Sequence, residues 1–143
     1  MLYFKPVSTT GWTQVRIFKN KPFARFARRS NIADSELCGA VREYCGLIAA
    51  DLGGGVIKQR LARHGSGKSG GFRVLILFKV KHLAIFVHGF AKNEADNIGP
   101  NELAALKRLA AEMLSYGIKE LERALASGTL MEVRCDGENE AVS

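Results

Sequence analysis

The sequence predicts an α+β domain: a small antiparallel sheet with helices packed on one face. Three observations predict it. Strand-like runs between residues 56 and 90 follow one another through connections so short that only antiparallel neighbours are allowed. Segments with helical periodicity flank those runs on both sides. The 143 residues are 47% hydrophobic and 24% charged, a globular composition that builds a core without staples. The length suits one domain, placed at residues 15–134, with 1–14 as a leader or extra strand and 135–143 as an acidic, mobile tail.

Taken in order, Val15-Arg16-Ile17-Phe18 reads as a short strand by β-propensity. Phe23, Phe26 and Ala27 recur at helical spacing among Arg25, Arg28 and Arg29, which predicts a short basic helix. Asp34 is the expected N-cap of a second helix, with Leu37, Val41, Tyr44 and Ile48 as its apolar stripe and Gly53-Gly54-Gly55 as its end. Three strands follow, Val56 to Arg63, Phe72 to Lys79 and Leu83 to Phe90. Loop His64 to Gly71 joins the first two, and Val80-Lys81-His82 makes a tight turn between the last pair. The last two strands are apolar at nearly every position, which marks them as central. After Gly99-Pro100 comes a helix with Leu103, Leu106, Ala110 and Met113 inward. Gly117 interrupts it. Ile118, Leu121 and Leu125 mark another, closed by Gly128, and Leu130 to Arg134 reads as a last short strand.

Charge is unevenly spread. The chain carries 21 Lys+Arg against 14 Asp+Glu, a net +7. Residues 1–92 hold 16 basic and 4 acidic side chains, while 93–143 hold 5 and 10. Between Leu52 and Lys92 stand eight basic residues and no acid. Such a field either keeps a face solvated or attracts a polyanion through counterion release. No stretch approaches the roughly 18 apolar residues of a membrane span, and no signal peptide is apparent. Of the three cysteines, Cys38 and Cys45 lie about 10 Å apart along a helix, beyond disulfide reach. The expectation is no disulfide and a reducing, cytoplasmic setting.

Few motifs carry chemistry. Gly65-Ser66-Gly67-Lys68-Ser69-Gly70 matches G-x-G-x-x-G, but a strand follows where a phosphate-binding loop needs a helix. A flexible, cationic connection whose backbone N–H groups and Lys68 touch nucleic-acid phosphate is the alternative. His64, His82, His88 and the cysteines show no ligand spacing, so no metal and no cofactor is expected. The acid-free strands disfavour hydrolysis by two carboxylates.

Strand alternation puts Arg73 with Leu75, Leu77 and Lys79, and His88 with Phe86, Phe90 and, if the strand continues, Lys92. Lys58 and Arg60 face one way, and Ile57, Leu61 and Arg63 the other. Arg73 either pairs with a helix acid or reaches a substrate. His88 is either a hydrogen-bonded core histidine or part of the same patch. If these groups line one hollow, the chemistry they suit is RNA cleavage by its own 2′-hydroxyl. That reaction asks for a base, an acid and cations on the phosphate, and for neither metal nor carboxylate. Phe72, Phe86 and Phe90 either stack bases or fill the core.

The segments Asp51 to Arg63, Gly67 to Arg73, Val87 to Glu94 and Phe18 to Arg28 together resemble the RelE/HigB-type toxins of bacterial type II toxin–antitoxin modules. Gly70-Gly71-Phe72-Arg73 and Gly89-Phe90-Ala91-Lys92 carry the likeness in combination. The resemblance implies the RelE-like toxin fold and a cytoplasmic endoribonuclease that cuts mRNA, usually on the ribosome, and so inhibits translation. It also implies a cognate antitoxin, expected to be a small helix-turn-helix DNA-binding protein. By position, Arg73 matches the arginine that stabilises the scissile phosphate, and Lys92 the lysine after the last strand. Arg60, Arg63 and Lys68 match residues that hold RNA, a set extended here with Lys58 and His64. His88 sits where related toxins place H-G-F and joins Arg73 and Lys92 as the catalytic set.

Two features depart from the family. Asn93 stands where many relatives have a second lysine, and no C-terminal tyrosine or histidine matches the acid or base some use; Tyr116 lies in a helical segment. These gaps favour a rival reading, a non-enzymatic binder on the same fold such as a DNA gyrase poison.

Overall fold

Strand β4 (Gly67–Lys79), in its second half from Phe72 to Phe78, and strand β5 (Leu83–Ala91) are apolar at nearly every position, and such strands need cover on both faces. The computed structural model describes residues 15–45, 50–63, 67–91 and 98–135. Besides β4 and β5 these form β1 (Arg16–Asn20), α1 (Lys21–Ser30), α2 (Asp34–Cys45), β2 (Ala50–Gly53), β3 (Val56–Arg63), α3 (Pro100–Met113), α4 (Ile118–Ser127) and β6 (Leu130–Glu132). The described strands make a six-stranded sheet in the order β2-β3-β4-β5-β1-β6. Only β1 against β5 is parallel; the other neighbours are antiparallel.

The α+β class and the mostly antiparallel sheet are as the sequence predicts. The expectation of helices on one face is corrected. Helices α1 and α2 cover one face, where Phe23, Phe26, Leu37 and Val41 meet Ile17, Ile57, Val74, Ile76 and Phe86. Helices α3 and α4 cover the other, where Ala110, Met113, Leu121 and Ala124 meet Phe18, Val56, Leu75, Leu77 and Ile85. Neighbouring strand residues point to opposite faces. Leu75 and Ile76 are both fully buried, so each face requires its own layer.

Local chemistry sets the helix ends. Asn20 caps α1, its Oδ1 accepting the Phe23 N–H at 2.9 Å, and Asn31 closes it in the left-handed conformation. Asp34 does not cap α2 but lies in its first turn. Its carboxylate accepts from Lys19 Nζ and from the Arg134 N–H, both at 3.0 Å, and so ties β1, α2 and the end of the chain together. Glu36 instead takes the Ala33 N–H at 2.8 Å. Gly53, Gly54 and Gly55 do not end α2. They form the β2–β3 turn with φ of +90°, +63° and +87°, conformations that favour glycine. Edge strand β2 was invisible to pattern reading because its four residues show no alternation. Ile48 lies outside the described residues. Ile118 is 69% exposed, and the inward stripe of α4 is Leu121, Ala124 and Leu125.

Of the cysteine expectation, the absence of a disulfide is corrected. Cys38 on α2 is bonded to Cys135, with Cα atoms 5.8 Å apart and 97 residues between them in sequence. A partner so distant leaves no local spacing signal. Cys135, read from sequence as the head of a loose tail, is thereby joined to α2.

Candidate functional site

Register brings the candidate residues into two rows on the face shared with α3 and α4. Arg60 on β3 is opposite Arg73 on β4, which is opposite Phe90 on β5. One step along, Lys58 is opposite Leu75, which is opposite His88. Leu75 is buried under α3 and α4, and opposite residues share a face, so all of these side chains point to that side. Partners across such a ladder have Cα atoms about 4.5–5.5 Å apart. Lys58, Arg60, Arg73, His88 and Phe90 therefore form one contiguous patch.

A β-bulge puts His88 there. Leu75 pairs with His88 but Ile76 pairs with Phe86, leaving Val87 as the extra residue. Simple alternation grouped His88 with Phe86, and the bulge corrects this. Phe86 and Phe72 belong to the core under α1 and α2, on the opposite face. Phe90 stays with His88, their ring centroids 5.6 Å apart.

The patch carries cations and no acid among the described residues. Arg60 and His88 are exposed, and Lys58 and Arg73 are half-buried. Two salt bridges among the described residues, Arg16–Glu132 and Lys19–Asp34, lie elsewhere. Of the two readings of Arg73, the ion pair to a helix acid is absent among the described residues. His88 is not a core histidine. Beside it, a hollow of about 260 Å³ is lined by His88, Ile98, Glu102, Ala105 and Leu106. The Glu102 carboxylate caps α3 by accepting the Gly99 N–H at 3.1 Å. Sequence reading missed this hollow, because the angle at which α3 crosses the sheet has no local signature.

The strand that carries His88 and Phe90 is held from behind. A Cβ on Gly89 would meet the Phe26 ring at 2.3 Å, so α1 approaches β5 more closely than any other residue would allow. Phe26 in turn stacks edge-on against Phe72, centroids 5.6 Å apart. This packing sets the height of the patch over the core.

Lys92 and His64 lie outside the described residues. Arg63 pairs through its backbone with Gly67, and Lys68 belongs to β4. Residues Gly67 to Gly70, read as a flexible connection, are thus strand. Tyr116 is far from the patch. It follows α3 and donates its hydroxyl to Glu112 Oε2 at 3.2 Å; burial first, then the nearby Glu112, raises its phenol pKa. Lys79 Nζ reaches the Leu114 carbonyl at 3.5 Å, so that turn sits six residues along β4 from Arg73, roughly 20 Å away. Among the described residues no three His, Cys, Asp or Glu come together as metal ligands. No helix among them is long and apolar enough to cross a membrane.

Comparison with known proteins adds one finding. The family model of the RelE toxin of the RelE/RelB toxin–antitoxin system matches residues 15–133. No curated protein matches the chain.

Proposed function

Because the chain belongs to the RelE toxin family, and so is the toxin of a toxin–antitoxin pair, we propose that it is an endoribonuclease that cuts mRNA on the ribosome. The observation that carries this reading is the Arg60–Arg73–Phe90 row with Lys58 and His88 beside it, a cationic row with Glu102 at the hollow next to His88. A phosphodiester is the ligand such a row fits, since guanidinium forks match phosphate oxygens.

In the proposed reaction the 2′-hydroxyl loses its proton to a base and attacks the adjacent phosphorus. The bond from O2′ to phosphorus forms as the bond to O5′ breaks, and an acid returns a proton to O5′. Arg73 holds the non-bridging oxygens, whose charge grows in the transition state. His88 and Lys92 move the protons. Lys58, Arg60, Arg63, His64 and Lys68 hold the RNA strand, the hollow beside His88 receives a base, and the buried Phe90 supports the His88 ring from below. No step calls for a metal or cofactor. The site of action is the cytoplasm. The antitoxin that family membership implies is proposed to be a small helix-turn-helix protein whose acidic segment covers the patch.

The test is primer extension on mRNA after induction of the wild type and of Arg73→Ala. Wild type should give discrete cuts with 2′,3′-cyclic phosphate and 5′-hydroxyl ends, and Arg73→Ala should give none. Intact transcripts alongside double-strand DNA breaks would replace this reading with gyrase poisoning.

A further inference from the structure

We infer that Glu102 sets base specificity: the hollow beside His88 takes a guanine that flanks the scissile phosphate, and the Glu102 carboxylate accepts hydrogen bonds from its Watson–Crick edge. The inference deepens the proposed ribonuclease reading and rests on it for the presence of an RNA strand.

A carboxylate next to a phosphate-binding row repels the ligand unless it meets a hydrogen-bond donor. Glu102 stands on α3 and lines the hollow with His88, Ile98, Ala105 and Leu106. Charge pairing does not account for it, because among the described residues it is in no salt bridge. Capping accounts for one oxygen only. Oε1 accepts the Gly99 N–H at 3.1 Å, which closes the first turn of α3. That bond uses one of the carboxylate's roughly four acceptor sites. It also holds the side chain in place, so the remaining sites form a fixed acceptor at the wall of the hollow.

The identity of the base follows from its donors. The hollow holds about 260 Å³, less than the roughly 300–1,000 Å³ of a drug-sized pocket, which suits one base. Ile98, Ala105 and Leu106 give it apolar walls for the faces of a ring. A carboxylate accepts and cannot donate. Guanine presents two donors side by side, N1–H and the N2 amine, one for each oxygen. Adenine and cytosine place a ring nitrogen acceptor next to their amine, and uracil sets its one N–H between two carbonyls. Each of these three turns an acceptor toward the carboxylate, and such a mismatch costs binding.

The position of the hollow fixes which base enters it. His88 is opposite Leu75, two residues along β4 from Arg73 and on the same face, roughly 7 Å away. A phosphate held by Arg73 thus brings a flanking base to the hollow.

The test uses the full chain and defined mRNAs seated on ribosomes, with guanine, inosine, adenine, cytosine or uracil at the nucleotides flanking the cut. Inosine keeps N1–H and lacks the N2 amine. Wild type should cut the guanine message about tenfold or more faster than the adenine, cytosine and uracil messages, with inosine between. Glu102→Gln keeps a carbonyl oxygen for the Gly99 N–H and so keeps the cap, but it turns an amide donor toward the guanine donors. It should erase the gap between guanine and inosine. Equal wild-type rates at all the bases would overturn the inference, as would a Gln variant that keeps the guanine preference. A variant that loses cutting equally at every base would make Glu102 a proton-transfer group and likewise overturn it. Anisotropy with short oligonucleotides that lack the attacking 2′-hydroxyl separates the two readings. If wild type cuts no message but binds the guanine oligonucleotide about tenfold more tightly than the adenine one, the nuclease reading fails and the Glu102 site stands. Cutting without base preference removes the Glu102 site alone. Neither cutting nor guanine preference removes both.

Discussion

Arg60 and Arg73 stand opposite each other on β3 and β4, aimed at the same face, and neither has a carboxylate partner among the described residues. Like charges in register cost a sheet a few tenths of a kcal/mol. Arg60→Thr should therefore stabilise the free protein by about 0.5 kcal/mol in urea unfolding. The same change should weaken RNA binding and make the salt slope shallower by about 1. A destabilised variant with unchanged RNA affinity would show that the pair serves the fold.

His88 is exposed beside Phe90, so its removal should leave stability within about 0.5 kcal/mol. As a proton-transfer group its loss should lower the single-turnover cleavage rate by about 10²–10⁴, with RNA affinity nearly constant. Equal losses in rate and affinity would make His88 a residue that holds RNA.

Gly89→Ala should be costly, because the new Cβ falls 2.3 Å from a Phe26 ring that is itself wedged against Phe23 and Phe72. Overpacking of this kind costs about 1–3 kcal/mol. Adding Phe26→Leu should restore part of the stability in thermal melts. A neutral Gly89→Ala would mean that α1 and β5 separate easily.

The Cys38–Cys135 bond closes a loop of 97 residues, and long loops gain the most from a crosslink. Cys135→Ser should lower unfolding free energy by about 2–4 kcal/mol under oxidising conditions and abolish the difference between melts with and without reductant. Identical melts for wild type in the two conditions would show that the bond contributes nothing.

Glu120 lies below the ordinary glutamate range, held there by its own backbone N–H and that of Gly117. A carboxylate whose folded pKa is lowered stabilises the fold above its unfolded value and loses that contribution as pH falls through the folded value. The gap in melting temperature between wild type and Glu120→Gln should thus be full at neutral pH and close under acid. A gap that is constant with pH would assign the effect to packing.

The residues themselves determined a good deal. Short connections forced antiparallel pairing of β3, β4 and β5, and apolar β4 and β5 marked the centre of the sheet. An acid-free basic stretch between Leu52 and Lys92, with Gly70-Gly71-Phe72-Arg73, pointed to the family and to phosphate. What the tertiary structure decided were relationships between distant positions. Whether helices lie on one face or two depends on where α3 and α4 return. The company His88 keeps depends on one bulge that shifts the parity of β5, because side-chain direction has a period of two and a single extra residue reverses it. The partner of Cys38, the double use of Asp34 and the hollow beside His88 all join segments far apart in the chain. Local propensity has no term for such contacts, since they are set by packing once the sheet has closed.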